Sequence, residues 1–443
     1  TAGNDTLNVV DFNDGSADQG QLTATAITSL FGASGSIDYS QIENLNIDLG
    51  IQADEFTVLS THANTTTIID ANNGADVINV RAVAGQTEIN TGAGADTINV
   101  GSNAQGSIDD ENNNSGGIID GIGAVLIVNG NASGVGNDVL NIDDTGDTNN
   151  NTGTLTATTI IGLDMGGSMV YNTIEILNID LGSGSDDFSI LSTFVDTETW
   201  LNTGAGADDI NIGSTTPTTG GADSDSETLN GVAGLLHIDG EDGADRLYVF
   251  DGNDTKTNIG VLADQWITGL GMGAIDLETY SDSDTGEVNN AAGYYAALAQ
   301  ADKGIEYLSF AELYLYLGTG VDTLYVASTH AGTNEINTDK FSRHQGLVSA
   351  QGDRLPDPGD EDLVLINTIA GETTVNTGVS DDTIKVNYDE TDTQTQTNGI
   401  GAVLNLHGQY GSDNYHIGLA STGSSLINVD DKRAETAADR GDS

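Results

Sequence analysis

The chain has no cysteine, three prolines in 443 residues and only eleven lysines and arginines. Without cysteine, no disulfide can staple the fold. With so little proline against 58 glycines, the turns fall to Gly, Asn and Asp, which tolerate left-handed backbone angles. Aromatic residues make up 5%, too few for one large globular core. Eleven basic side chains face 68 acidic ones, a net charge of −57. That balance excludes a basic nucleic-acid surface, and it repels itself in any compact state. Two states escape the repulsion: a disordered chain, or one whose charge is neutralised by bound cations. Hydrophobic residues reach 37%, and Ile, Leu and Val recur at regular places, which argues for a thin, repetitive core. The sequence contains no apolar run of the roughly 20 residues that a membrane-spanning helix needs. It begins at Thr1 with no signal peptide and reads as a mature or excised piece.

What is abundant is repetition. Residues 61–80 (THANTTTIIDANNGADVINV) and 81–100 (RAVAGQTEINTGAGADTINV) align without a gap, and 41–58 is a shorter third copy. The shared pattern is Asp/Asn-x-Gly-x-Gly-x-Asp-x-hydrophobic-x-Val. It returns at 180–190, 202–212, 239–249, 316–326 and 376–386, and in shortened form at 2–9, 136–142 and 411–417. Its aspartates are Asp5, Asp54, Asp76, Asp96, Asp138, Asp186, Asp208, Asp245, Asp322, Asp382 and Asp413. Asp54 and Asp76 are 22 residues apart, Asp76 and Asp96 are 20, and Asp186 and Asp208 are 22. The 42 residues from Asp96 to Asp138 read as two such steps. A period near 20 suits one coil of a parallel β-solenoid, with a short strand on each side of a Gly-x-Gly corner. The expected fold is therefore all-β, a parallel β-solenoid of the β-helix or β-roll kind, with one or two inserted segments.

A longer period overlays the short one. Residues 136–163 echo 3–30, IEILNIDLG at 174–182 matches IENLNIDLG at 42–50, and 121–130 has cousins at 231–240 and 399–408. The modules expected are 1–135, 136–242 and 243–410, the last with insertions at 273–310 and 339–362. A further, incomplete module starts at 411–443. Within the insertions, the apolar spacing at 289–302 suits a short helix. Lys340, Arg343 and Arg354, with Lys432, Arg433 and Arg440 of the tail, hold six of the eleven basic residues. They are solvated loop and tail residues, or they dock onto an acidic surface of a neighbouring subunit or module.

Stacked about 4.8 Å apart, one aspartate per coil is a row of like charges that repel unless a cation sits among them. Calcium takes six to eight oxygens, backbone carbonyls included, and glycine corners leave room to turn carbonyls inward. The Asp or Asn six positions earlier (Asp70, Asn90, Asp180, Asn202 and Asp239) adds oxygens or simply shapes the turn. The plainer reading of each aspartate is turn chemistry, since Asp after Gly is common in tight turns. Eleven copies in register in so acidic a chain favour metal. The hydrophobic residues two places after each Asp (Phe56, Ile78, Ile98, Phe188, Ile210, Leu247, Leu324 and Ile384) are core positions. The six histidines are scattered, without metal-site spacing.

The stretches TGAGADTIN at 91–99, TGAGADDIN at 203–211 and LGSGSDDFS at 181–189 resemble the hemolysin-type calcium-binding repeat, Gly-Gly-x-Gly-x-Asp-x-hydrophobic-x. The wider modules resemble those of very long bacterial surface proteins built of such repeats. The resemblance covers the motif segments, about half the chain. It implies a parallel β-roll ordered by several Ca2+ ions, held by the motif aspartates and by glycine carbonyls such as those of Gly92, Gly94, Gly204 and Gly206. The chain departs from that family in its period, near 20 rather than nine, and the first glycine of the pair is usually Thr, Leu or Asn. A calcium ladder would then follow one corner only.

The function expected is that of an extracellular, calcium-binding structural or adhesive protein of the cell surface, not an enzyme. The partners expected are further copies of the chain or the continuation of a longer array, assembled head to tail into a filament or coat, and a glycan or cell-surface ligand. Two alternatives stand beside it. A polysaccharide-active enzyme on a β-helix needs a cleft with acid and base groups, and the ubiquity of carboxylates singles none out. A calcium-dependent carbohydrate- or ice-binding adhesin region needs a flat exposed Thr or aromatic face, for which the tyrosines at 280, 294, 295, 307, 314 and 316 are the candidates.

Overall fold

The computed structural model describes residues 3–11, 15–30, 35–108, 110, 114–130, 136–213, 228–252, 254, 256–273, 303–318, 320, 322–338, 361–378, 381–388, 393–394, 399–408, 412–418 and 426–430. The helix expected at 289–302 and the basic residues of 339–360 and 431–443 lie outside the described residues. The chain divides into two units, one comprising Thr1–Phe188, Thr193–Asp208 and Leu236–Asp242, the other the remainder. Each is an all-β parallel solenoid.

In the first unit, one sheet stacks Thr6–Val10, Asn44–Asp48, Thr66–Asp70, Thr87–Asn90, Val125–Asn129 and Ser168–Asn172 in parallel. The facing sheet stacks Gln19–Leu22, Glu55–Val58, Val77–Val80, Thr97–Val100, Val139–Asp143, Ile176–Asp180, Glu198–Asn202 and Leu235–Asp239. The pairing is in register: Ile78 lies beside Ile98, and Val80 beside Val100. Strand alternation sends Leu45, Ile47, Ile69 and Ile89 of one sheet, and Phe56, Ile78, Ile98 and Val100 of the other, into a fully buried interior. β-Branched residues fill those rows, as a pleated, packed surface favours. In the second unit, Arg246–Phe250, Glu312–Tyr316, Thr333–Asn337, Thr373–Asn376, Val403–His407 and Leu426–Val429 form one parallel sheet. Ile259–Leu262, Thr323–Val326, Leu363–Ile366, Thr383–Val386 and Asn414–Ile417 form another. All eight hydrophobic positions that follow the motif aspartates are buried, with no exposure at any of them.

Two features depart from simple coiling. First, Asp96 and Asp138 are one coil apart, not two: Thr97 pairs directly with Val139, and Thr87 with Leu126. The extra residues leave the coil and cover the outer face of the second sheet, where Asn79 Nδ2 donates to the Gly106 carbonyl at 2.8 Å. Asn99 and Asn141, buried beneath this cover, and the partly buried Asn178 each donate to the asparagine of the preceding coil, at 3.1, 2.9 and 2.7 Å.

Second, three antiparallel triplets interrupt the parallel stack. Gln19–Leu22, Ala26–Thr28 and Ser36–Asp38 make the first. Thr152–Leu155, Thr159–Gly162 and Ser168–Asn172 make the second, and Ile259–Leu262, Trp266–Gly269 and Gly304–Leu308 the third. The 3–30 and 136–163 echo marks the first two. Each is tied by one tyrosine hydroxyl donating to a carbonyl: Tyr39 to Thr23 (2.6 Å), Tyr171 to Thr156 (2.5 Å) and Tyr307 to Ala263 (2.8 Å). Gly20 and Gly153 are glycines because a Cβ there would meet the rings of Phe56 and Phe188, at 2.6 and 2.5 Å. Around the second triplet the phase of the coil shifts. Val139–Asp143 follows a Gly-Asp corner, yet it stacks on Ile176–Asp180, which precedes one.

Candidate functional site

The motif aspartates stand in columns that run along the solenoid corners. In the first unit the backbone N–H of Asp18 donates to Asp54 Oδ1 (2.8 Å), Asp54 to Asp76 (2.8 Å), Asp76 to Asp96 (2.8 Å) and Asp96 to Asp138 (3.0 Å). A second column runs from the Asn151 N–H to Asp186 Oδ1 (2.7 Å) and from Asp186 to Asp208 (2.7 Å). In the second unit the order is Asn258, Asp322, Asp362, Asp382 and Asp413, joined at 2.9, 2.8, 2.9 and 3.0 Å. Each carboxylate thus satisfies a backbone donor of the preceding coil, a donor that the sharp corner withdraws from the sheet ladder.

The corner glycines follow from this stacking. A Cβ on Gly94 would lie 1.5 Å from the Gly74 carbonyl oxygen, and one on Gly206 would lie 2.0 Å from that of Gly184. Gly92 and Gly204 have φ of +92° and +83°, where an L side chain is strained. Corner carbonyls are engaged along the stack: Asn72 O accepts from Ala93 N–H (2.6 Å), and Ala93 O from Gly74 N–H (3.0 Å).

The inner members of the columns are buried, while Asp18 and Asp413 at the ends are partly exposed. Asp76, Asp96, Asp208, Asp245 and Asp382 have no exposure, and Asp54, Asp138, Asp186 and Asp322 have at most 3%. Burial disfavours the charged form. It pushes Asp76 up to about 8, against the Asp54 N–H that favours ionisation and with the charges of Asp96 and Asp54 adding to the rise. Burial likewise raises Asp138 to about 7 and Asp362 to about 9, and it raises Asp54, Asp96 and Asp186. The Oδ2 atoms of Asp76 and Asp96 are buried with no hydrogen-bond partner.

Asp5 lies apart from the columns. Asp5 is exposed, and its N–H goes to Glu43 Oε2 at 2.9 Å. Asp138 ends the first column in the same way, on Glu175 Oε2 at 2.8 Å. These glutamates are the Glu of the matched IENLNIDLG and IEILNIDLG segments. Asp245 is fully buried, and its carbonyl accepts from Ala311 and Glu312. The residues six places before the motif aspartate bond along the sheet instead: Asn90 Nδ2 to Asp70 Oδ1 at 2.8 Å, and Asn202 Nδ2 to Asp180 Oδ1 at 2.6 Å. Asp239 Oδ1 accepts the Glu241 N–H at 3.0 Å. Asp18, Asn151, Asn258 and Asp362 belong to the columns, but no complete Gly-x-Gly precedes them to mark them in the sequence.

A different cluster lies where Val139–Asp143 leaves the second sheet. Carboxylate oxygens of Asp120, Asp144 and Asp147 lie within 4.8 Å of one another, placed to hold a metal ion. Asp144 Oδ1 accepts the Ile119 N–H at 3.1 Å, while burial, then Asp147, Asp120 and Asp186, push Asp144 up to about 7. Burial also opposes ionisation at Asp147. Hydrogen bonds from Asn149, Asn151 and Thr148 outweigh it and hold that carboxyl below its usual range. The cluster comes from DDTGD at 143–147 together with Asp120, outside the Gly-x-Gly-x-Asp pattern. Comparison of the chain with protein-family models gives no match, and neither does comparison with curated proteins.

Proposed function

We propose that the chain is an extracellular, calcium-binding structural or adhesive repeat protein of the hemolysin-type repeat kind. Its aspartate columns are the calcium sites, and it is not an enzyme. The observation that carries this reading is the row Asp54, Asp76, Asp96 and Asp138: buried carboxylates one coil apart, of which Asp76, Asp96 and Asp138 each commit one oxygen to the backbone donor of the preceding coil, while Asp54 commits both, to Asp18 and Gly50. Such a row is stable either protonated or with cations among the remaining oxygens, and calcium takes oxygens of this kind, carboxylate and carbonyl. At the net charge of −57, bound ions also relieve repulsion along the whole chain. Self-association into a filament or coat draws support from apolar side chains exposed on strands with a single neighbour among the described residues. Thr6–Val10 exposes Val10 at 59%, and Leu426–Val429 exposes Leu426 at 55% and Val429 at 46%, a surface onto which a further strand can pack.

The test is a calcium titration from chelator to millimolar, followed by circular dichroism and sedimentation velocity. The expected result is several ions bound per chain, a gain of β signal or thermal stability, and growth to large species as calcium rises. A β signal and melting temperature indifferent to calcium, with no ion bound, would overturn the reading.

The carbohydrate-binding alternative has one observation in its favour. Trp200, 39% exposed, stacks on His237 with ring centroids 3.7 Å apart, an aromatic platform of the sort sugars use. Of the tyrosines singled out for that role, Tyr307 and Tyr316 are buried, and those at 280, 294 and 295 lie outside the described residues. Quenching of Trp200 fluorescence by soluble oligosaccharides is the check.

A further inference from the structure

The Asp120–Asp144–Asp147 cluster has a counterpart in the second unit, which makes an internal comparison possible. Five hydrogen bonds recur between them. Asp147 N–H donates to the Asp144 carbonyl (2.8 Å) as Asp254 does to Asp251 (2.9 Å), and Asp144 N–H to Asp180 O (2.8 Å) as Asp251 to Tyr316 O (2.8 Å). Ile119 N–H reaches Asp144 Oδ1 as Leu229 reaches Asp251 Oδ1 (3.1 and 2.9 Å). Asn149 N–H reaches Asp147 Oδ1 as Lys256 reaches Asp254 Oδ1 (2.8 and 2.9 Å). Asn151 N–H reaches Asp186 as Asn258 reaches Asp322 (2.7 and 2.9 Å).

The backbone frame is thus the same, and two of the side-chain differences bear on the acids. Where the first unit has Asp120, the second has Asn230, whose Nδ2 donates to Asp254 Oδ2 at 2.9 Å. Where the first has Asn149, the second has Lys256, whose charge favours the ionised form of Asp254. In the second unit an amide therefore donates to Asp254, and the Lys256 charge favours its ionised form. In the first unit the same frame holds a third carboxylate and no such cation. Asn151 supplies an independent sign of a ligand there. It is 5% exposed, its Nδ2 lies 2.7 Å from Asp147 Oδ2, and its buried Oδ1 accepts no hydrogen bond.

We infer that Asp120, Asp144, Asp147 and the Asn151 carboxamide oxygen form a calcium site at the module junction, beside the start of the second column and with none of the column carboxylates, and that Asn230 and Lys256 replace the ion in the second unit. Oxygens within 4.8 Å of one another fit inside the roughly 5 Å that two ligands across one calcium span. The ion would tie the segment carrying Asp120 to the turn that leads from Val139–Asp143 into the second antiparallel triplet. This deepens the calcium reading above but uses other carboxylates, so the two can fail separately.

The test is equilibrium dialysis of the full chain against calcium chloride, counting ions per chain at saturation, with circular dichroism to check each variant's fold. Asp120 is exposed, so Asp120→Asn is expected to fold normally and to bind one ion fewer than the unaltered chain. The double variant Asn230→Asp/Lys256→Asn is expected to bind one ion more. Asp76→Asn/Asp96→Asn is expected to lose column ions while keeping the junction ion. An unchanged count in Asp120→Asn overturns the junction site, whatever the column variants do. Loss of one ion in Asp120→Asn, with no loss in the column variant, supports the junction site and removes the columns as calcium sites. No calcium bound to the unaltered chain overturns both.

Discussion

The backbone N–H of Asp54 donates to Oδ1 of Asp76 at 2.8 Å, across 22 residues of sequence and one coil of the solenoid. The same bond joins Asp76 to Asp96, so each acid serves as acceptor for the coil before it and as donor to the coil after it. The aspartate therefore has a structural duty that does not depend on its charge. Replacing Asp76 by Asn keeps a side-chain oxygen for the Asp54 N–H; replacing it by Ala leaves that buried donor unmet. In chelator, Asp76→Ala should cost about 1–3 kcal/mol, while Asp76→Asn should cost little at neutral pH. Urea denaturation of the two variants measures the difference. Equal losses would show that the hydrogen bond contributes nothing.

Acidity should stabilise the ion-free protein. Asp76 and Asp251 stand at about 8 and Asp362 at about 9, all raised above the ordinary carboxylate value first by burial. A group raised in the folded state holds its proton more tightly there than in the unfolded chain. Its contribution is complete below about pH 4 and is lost as pH rises through the folded value. In chelator, the melting temperature should fall steadily between pH 5 and pH 9. Calcium should offset the fall most at the alkaline end, where the carboxylates are ionised. Melting curves at pH 5 and pH 9, with and without calcium, decide it; a flat profile in chelator would contradict the burial argument.

Corner glycines should be far less replaceable than a loop glycine. Gly94→Ala places a methyl group 1.5 Å from the Gly74 carbonyl oxygen, whereas a Cβ on Gly15 meets nothing within 4 Å. Backbone cannot yield as a flexible side chain does, so Gly94→Ala should destabilise by several kcal/mol, on the order of a severe core lesion. Gly15→Ala should change stability by no more than about 0.5 kcal/mol. Thermal melts of the pair test this, and equal effects would show that the coils are not in contact at the corner.

Gly153 and Phe188 should be energetically coupled, because a Cβ at 153 would lie 2.5 Å from the Phe188 ring. Phe188→Ala alone removes a fully buried ring and should cost about 3–5 kcal/mol. Adding Gly153→Ala to Phe188→Ala should cost less than Gly153→Ala costs in the unaltered chain. A double-mutant cycle with no coupling energy would place the ring elsewhere.

The solenoid and its core were legible in the sequence because both are periodic. Ile78 over Ile98 and Val80 over Val100 follow from two aligned twenties, and alternation says which side chains face inward. The coil between Asp96 and Asp138 was misread as two because arithmetic on spacing cannot separate an added coil from an excursion. Only the pairing of Thr97 with Val139 tells them apart. The column members Asn151 and Asn258 escaped because they join through the backbone N–H alone, which no side-chain pattern marks, and Asp362 escaped because its corner lacks the full glycine signature. The Asp120 cluster escaped for a deeper reason. Asp120 and Asp144 are brought together by a hydrogen bond from Ile119 to Asp144, a contact that no local pattern encodes.

The phase shift at the second antiparallel triplet has a mechanical consequence. Asp54, Asp76 and Asp96 occupy the turn leading from the first sheet into the second, whereas Asp186 occupies a turn leading out of the second. Acids on one flank alone would make a bimetallic strip: any change in their spacing on ion binding would curl the stack toward or away from that flank. In the first unit the acids change flank at the second triplet, so a curl driven by the first column and one driven by the second would bend in opposite senses, one after the other along the stack.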